Sequence, residues 1–121
     1  MRALLVEDEA LVALIAEEAL SGFGFRVTVA GSGAEARRAF AEGGLDLAVI
    51  DVGLPDIKGY DLAGELRSQA PDLPILMASG YDAGDVAARF PDDTRVRALG
   101  KPYTEGDLAE AIRSLGLQIQ G

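Results

Sequence analysis

The chain of 121 residues contains neither cysteine nor histidine. Without cysteine there is no disulfide framework, no thiol nucleophile and no thiolate metal site. The missing histidine excludes the Ser-His-Asp and Cys-His nucleophile systems and a zinc centre of the ordinary kind. Any metal has to be held by oxygen, which favours magnesium, manganese or calcium. Positive charge is scarce: 11 Lys and Arg stand against 20 Asp and Glu, a net charge of −9. Such a surface repels nucleic-acid phosphates and anionic lipid, so neither is expected as a direct partner. No run approaches the ~18 apolar residues of a membrane span, and the amino terminus carries no basic segment leading into a long apolar one. The expectation is a cytoplasmic protein.

What is present is an ordinary globular composition, 49% apolar and 26% charged, at a length suited to one domain over residues 1–121. Short apolar runs alternate with longer amphipathic segments. The runs at 3–6, 25–30, 45–50, 75–78 and 95–99 read as strands, and the third is almost wholly apolar, as a strand covered on both faces should be. Helices are expected over about 10–21, 33–42, 59–69 and 105–115, with Gly22 and Gly24, Gly43-Gly44 and Gly116 as stops. Ser32 and Glu35 have the spacing of a capping box, and Thr104 is a cap for the last helix. Residues 81–94 are weaker; 85–90 could form two turns before Pro91-Asp92-Asp93 ends them. Five βα units with right-handed crossovers predict a three-layer α/β sandwich around a five-stranded parallel sheet.

In such a sheet, ligands bind outside the carboxyl ends of the strands. The first run ends in Glu7-Asp8-Glu9, the third in Asp51, the fourth in Ser79-Gly80, and the fifth is followed by Lys101-Pro102. Carboxylates crowded at one edge repel each other, and a divalent cation relieves that repulsion. Magnesium keeps several waters and needs only one or two protein carboxylates besides phosphate oxygens. Asp51, alone at its strand end, is the candidate nucleophile for an acyl phosphate. Lys101 would place a charge on the transferred phosphoryl group and Ser79 a hydroxyl donor, while Gly80 leaves room beside the backbone. Taken singly, each of these residues could be an ordinary surface or turn position.

The whole pattern resembles a receiver domain of a two-component response regulator. The matching pieces are Leu4-Leu5-Val6-Glu7-Asp8-Glu9, Leu47-Ala48-Val49-Ile50-Asp51-Val52-Gly53-Leu54-Pro55, Gly59, Leu76-Met77-Ala78-Ser79-Gly80 and Lys101-Pro102-Tyr103. The resemblance implies a flavodoxin-like (βα)5 fold. It implies that Asp51 takes a phosphoryl group from a phosphohistidine on a histidine kinase or histidine phosphotransfer protein, making the chain a signalling module and not an enzyme acting on other molecules. It also implies an acid pocket of Glu7 and Asp8, Mg2+ (or Mn2+) on Asp8, Asp51 and the backbone carbonyl of Gly53, and a cis Lys101-Pro102 peptide.

Three departures narrow this reading. Glu7 stands where an Asp is usual, and its longer arm is expected to reach a metal through water. Ser79 replaces the commoner threonine. Ala98 occupies the position three before Lys101, where many receivers carry a Tyr or Phe that turns inward on phosphorylation. Met77-Ala78-Ser79-Gly80-Tyr81 instead resembles the Phe-Ala-Thr-Gly-Gly/Tyr signature of a mostly single-domain subset. Switching is therefore expected from ordering of residues 80–94, with Ser79, Gly80, Tyr81, Ala98 and Pro102 as the regulatory positions and Tyr81 as a shield against hydrolysis.

On the first helix, Val12, Ile15, Ala16, Ala19 and Leu20 share a face and are expected in the core. Leu11 and Leu14 would then lie outside, forming with Tyr103 a docking patch for a kinase or phosphotransfer helix beside Asp51. Two other readings compete. A haloacid-dehalogenase-like Mg2+ phosphohydrolase would want a second Asp where Gly53 stands, and a cap insertion. A non-phosphorylated pseudo-receiver would not need Asp8, Asp51, Ser79 and Lys101 together. Residues 116–121 leave no room for an output domain, so the expectation is a stand-alone regulator or a trimmed piece of a longer protein. Either would act through a downstream protein target, as a monomer or weak homodimer.

Overall fold

The computed structural model describes residues 1–80 and 84–120. Its elements follow in the order β1 (Arg2–Val6), α1 (Ala10–Gly22), β2 (Arg26–Ala30), α2 (Gly33–Ala41), β3 (Leu47–Asp51), α3 (Gly59–Gln69), β4 (Ile75–Ser79), α4 (Gly84–Arg89), β5 (Val96–Gly100) and α5 (Glu105–Ser114). The strands pair in parallel in the order β2-β1-β3-β4-β5. This is the flavodoxin-like order, in which the chain reverses direction across the sheet between β1 and β3 and leaves a crevice at their carboxyl ends.

The central strands form because they can be covered on both sides. Every residue of β3 and β4 is buried, as are four of the five in β1. Side chains alternate between two cores. Ala3, Leu5, Leu47, Val49 and Leu76 face α1 and α5, where they meet Leu20, Leu108 and Ile112. Leu4, Val6, Ala48, Ile50, Ile75 and Met77 face the other way, onto Ala36 of α2, Leu62 and Leu66 of α3 and Val86 of α4. The edge strands are the polar ones, with Arg26 on β2 and Arg97 on β5 exposed to solvent, which discourages pairing with another sheet.

Helix ends are chemically specified. Thr104 and Asp107 make a reciprocal capping box on α5, side chain to backbone in both directions. At α2 the box expected of Ser32 and Glu35 is half realised. Ser32 Oγ accepts from the Glu35 N–H, but the Glu35 carboxylate accepts from the N–H of Gly31 rather than of Ser32. The break at Pro91 is present, since α4 ends at Arg89. Arg67 on α3 ties the following connection down: its Nε lies 2.6 Å from Asp93 Oδ2, and its Nη1 donates to the carbonyl of Ala70.

One expectation about α1 fails. Ile15 is 57% exposed, and the core face is carried instead by Ala13, Ala16 and Leu20. Small side chains let this helix lie close on β1 and β2, which turns Ile15 outward beside Leu11 and Leu14. Val12 and Ala19 are only partly buried. Residue 81 and its two successors lie outside the described residues, so the shield expected of Tyr81 and part of the expected switch segment do too. No helix of the described residues is long and apolar enough to cross a membrane.

Candidate functional site

Backbone hydrogen bonds carry the sheet ladder past the strand ends and so fix where the candidate side chains start. The Glu7 N–H donates to Ala30 O, Val52 N–H to Ala78 O, and Lys101 N–H to Ser79 O, at 2.8–3.0 Å. In register, Asp51 lies opposite Ala78 and Ser79 opposite Gly100. Glu7, Asp8, Asp51, Ser79 and Lys101 are thereby gathered at one edge of the sheet. The Lys101-Pro102 peptide is cis.

The charged groups converge. Carboxylate oxygens of Glu7, Asp8 and Asp51 lie within 4.8 Å of one another. Glu7 is 4% exposed and Asp51 6%, whereas Asp8 opens to solvent. Lys101 Nζ sits between the buried pair, 3.3 Å from Asp51 Oδ1 and 3.3 Å from Glu7 Oε2. Burial first, and then the negative charge of Asp51, raise the Glu7 carboxyl to about 7, with Lys101 opposing them. For Lys101, burial works against the charged form, but Asp51 and Glu7 outweigh it and hold the ammonium above its ordinary value. Tyr103 is raised as well, by burial first and then by the charge of Glu7. One ammonium for three carboxylates leaves a net negative pocket with oxygen donors only. That donor set fits a hard divalent cation.

The connection from β3 to α3 completes this edge. Gly53 and Lys58 form an antiparallel bridge, and the Gly59 N–H donates to Val52 O at 2.9 Å. A Cβ on Gly59 would stand 2.2 Å from the carbonyl oxygen of Asp51, so only glycine lets α3 begin this close to β3. The Gly53 N–H points at Asp51 Oδ1, 3.3 Å away. Beyond the bridge, Asp56 reaches α2 and accepts from the N–H groups of Gly33 and Ala34 at 2.8 and 3.1 Å. Nothing in the sequence marks Asp56, because both its partners are backbone groups of an element more than twenty residues away.

The remaining candidates sit around this pocket. Leu11 and Leu14 are 69% and 51% exposed on α1, one turn beyond Asp8. Between α1 and the end of β5, Glu9, Val12, Ile15, Lys101, Pro102 and Tyr103 line a cleft of about 360 Å³. Sequence reasoning missed this cleft, because it placed Ile15 and Val12 in the core. Ala98 is partly buried against the α2–α4 side of the sheet. Around Gly80 a Cβ would meet nothing within 4 Å among the described residues.

Residues 3–113 match the family model described as response regulator receiver domain. Among curated relatives, the sensor kinase CckA of Brucella abortus is 36% identical over 114 residues, covering 93% of this chain and 12% of that protein. The DNA-binding transcriptional regulator NtrC of Rhizobium meliloti is 32% identical, covering 93% of this chain and 23% of its own. The chain thus spans well under half of either protein. Among solved structures, a response regulator receiver protein from Sinorhizobium medicae superposes with a TM-score of 0.83 at 33% identity, covering 95% of this chain and 93% of that one. The response regulator TrrA of Thermotoga maritima, in complex with Mg2+-BeF, has a TM-score of 0.82 at 27% identity, with 94% and 97% covered. With its five-stranded parallel fold and its acidic strand ends, the chain belongs to the response regulator receiver domain family of two-component signalling systems.

Proposed function

We propose that the chain is a phosphoacceptor: Asp51 takes a phosphoryl group from a phosphohistidine, with Mg2+ bound, and the change is read by a downstream protein. The observation that carries this is Lys101 Nζ at 3.3 Å from both Asp51 and Glu7, where a buried carboxylate pair has one shared cation. A lysine so placed can follow the negative charge from the carboxylate to the phosphoryl oxygens. Asp8, Asp51 and the Gly53 carbonyl would hold the cation, with Glu7 reaching it through water; Mn2+ would serve as a substitute. When bound, such an ion neutralises charge on the carboxylates and on the incoming phosphoryl oxygens. The likeness to TrrA, solved with Mg2+-BeF, supports the same ligand here.

In the transfer, a carboxylate oxygen of Asp51 forms a bond to phosphorus as the phosphorus–nitrogen bond to the imidazole breaks. The displaced imidazole keeps the electron pair and takes its proton from solvent. Lys101 and the Ser79 hydroxyl stabilise the phosphoryl oxygens. Burial of Asp51 limits the access of water.

The donor would be a histidine kinase or a histidine phosphotransfer protein. Leu11 and Leu14, extended by the outward Ile15 and by Pro102 and Tyr103, form an apolar surface next to the acceptor. That surface suits the face of a partner helix. The net charge of −9 argues that this domain itself touches no nucleic acid. With Ala98 in place of an aromatic, switching belongs to the segment after Ser79, as in the subset with the Phe-Ala-Thr-Gly signature. On this reading residues 1–121 form one receiver domain.

Backbone NMR with beryllofluoride tests the assignment. Saturable shifts at Asp51, Ser79 and Lys101 that require Mg2+ are expected in the wild type and not in Asp51→Asn. Shifts that survive in Asp51→Asn would remove Asp51 from the role, and no shifts in wild type would favour a pseudo-receiver.

A further inference from the structure

We propose that Asp56 is a positioning residue for the cation pocket: from the far end of the β3–α3 connection it grips the amino terminus of α2 and so holds Gly53 beside Asp51. The inference rests on the acceptor reading above and extends it to a residue outside the pocket.

Three observations place Asp56 in this role. First, its two carboxylate oxygens accept from two successive N–H groups, Gly33 at 2.8 Å and Ala34 at 3.1 Å. These are free donors of the first turn of α2, and a carboxylate there also meets the positive end of the helix dipole. The Gly33 bond in particular holds the Asp56 carboxyl below its ordinary value, so it is ionised at neutral pH. Second, the contact is built to be close. A Cβ on Gly33 would stand 2.3 Å from Ile57 Cγ2 and 3.2 Å from Asp56 Oδ1, so the helix starts on glycine where the loop leans against it. Third, the loop is short and closed at its stem. The Gly53–Lys58 bridge and the Gly59 N–H to Val52 O bond pin its two ends together beside Asp51.

The mechanical consequence follows from that closure. With the stem fixed to β3 and the tip fixed to α2, the loop between Val52 and Gly59 has little freedom to shift. Gly53 sits in the stem, its N–H aimed at Asp51 Oδ1. Releasing the tip frees the stem to move, and the position of Gly53 is no longer set before a cation arrives. Groups that orient metal ligands without touching the metal act in this way. Ser32 provides the internal control. Its Oγ caps the same helix through Glu35 N–H, but among the described residues it has no hydrogen bond to the β3–α3 connection.

The test is backbone NMR of the full chain titrated with MgCl2, run well below the thermal midpoint of each variant. Wild type, Asp56→Ala, Asp56→Asn and Ser32→Ala are compared. Asp56→Ala is expected to weaken Mg2+ on the order of tenfold and to shift the Gly53 amide before metal is added. Asp56→Asn keeps one acceptor oxygen and should fall between it and wild type. Ser32→Ala should lower the thermal midpoint comparably while leaving Mg2+ affinity and the Gly53 amide unchanged. Equal Mg2+ affinity in wild type, Asp56→Ala and Asp56→Asn would overturn the inference alone and leave Asp56 as a helix cap. Equal weakening by Ser32→Ala would also overturn it. A wild type that takes up no Mg2+ would overturn both this inference and the acceptor reading.

Discussion

At the scale of single residues, Glu7 is the most consequential side chain after Asp51, because it is buried beside another carboxylate. Its carboxyl is pushed up to about 7, against an ordinary 4.5, by burial and then by Asp51. The folded chain therefore binds this proton more tightly than the unfolded one. The associated stability is fully present below about pH 4.5 and is lost as pH rises through about 7. In chelator, the thermal midpoint should fall between pH 5 and pH 8, and Glu7→Gln should flatten that slope by an amount on the order of 2 kcal/mol. Added Mg2+ competes with the same proton, so its affinity should rise over that window. Thermal melts and titrations at both ends of the range read these effects. Lys101 has a different signature. Lys101→Ala leaves Glu7 and Asp51 without their shared cation, and phosphoryl uptake from acetyl phosphate should slow on the order of a hundredfold. Stopped-time mass measurements would follow it. Residues such as Asp51, Ser79 and Lys101 were legible in the sequence because each ends or follows an apolar run that could only be a buried strand. Asp56 was not, since its partners are backbone N–H groups that exist only once α2 is folded and placed.

At the scale of elements, α1 is where packing decides what a sequence pattern leaves open. On α1 the apolar residues run nearly all round, from Leu11 through Ala16. A 3.6-residue period cannot choose a buried face in such a stretch, and the choice is made by fit: Ala13 and Ala16 allow close approach to the sheet. That is why Ile15 was misplaced by sequence reasoning while the boundaries of α1 were not. The resulting outward patch gives a discriminating prediction. Leu14→Asp should slow transfer from a phosphorylated histidine kinase about tenfold or more by removing an apolar contact, yet leave uptake from acetyl phosphate unchanged. A loss with both donors would mean damage to the pocket instead. The second element-level device is the tie between α3 and the connection after α4. Arg67 and Asp93 are mostly buried and 2.6 Å apart, and Asp93 also accepts from Arg95 N–H. Arg67→Ala strands a partly buried carboxylate, and should cost about 1–3 kcal/mol in chemical denaturation.

For the molecule as a whole, the sheet order is what turns scattered acidic residues into a site. The reversal between β1 and β3 puts Glu7 and Asp51 on either side of one crevice, and β4 and β5 add Ser79 and Lys101 from the same edge. The strand runs, the helix stops and this edge were readable from the sequence because two-sided burial leaves few alternatives to an apolar strand. Which helix faces, which loop braces the pocket and how deep each carboxylate lies depend on packing, and emerge only from the folded chain. The proposed function requires that Asp51 accept a phosphoryl group with a divalent ion present. The direct measurement is intact mass after incubation with acetyl phosphate, for wild type and Asp51→Asn, with Mg2+ and with chelator. One added phosphoryl group is expected on wild type with Mg2+, little with chelator, and none on Asp51→Asn. Equal labelling of Asp51→Asn, or none on the wild type with Mg2+, would contradict it.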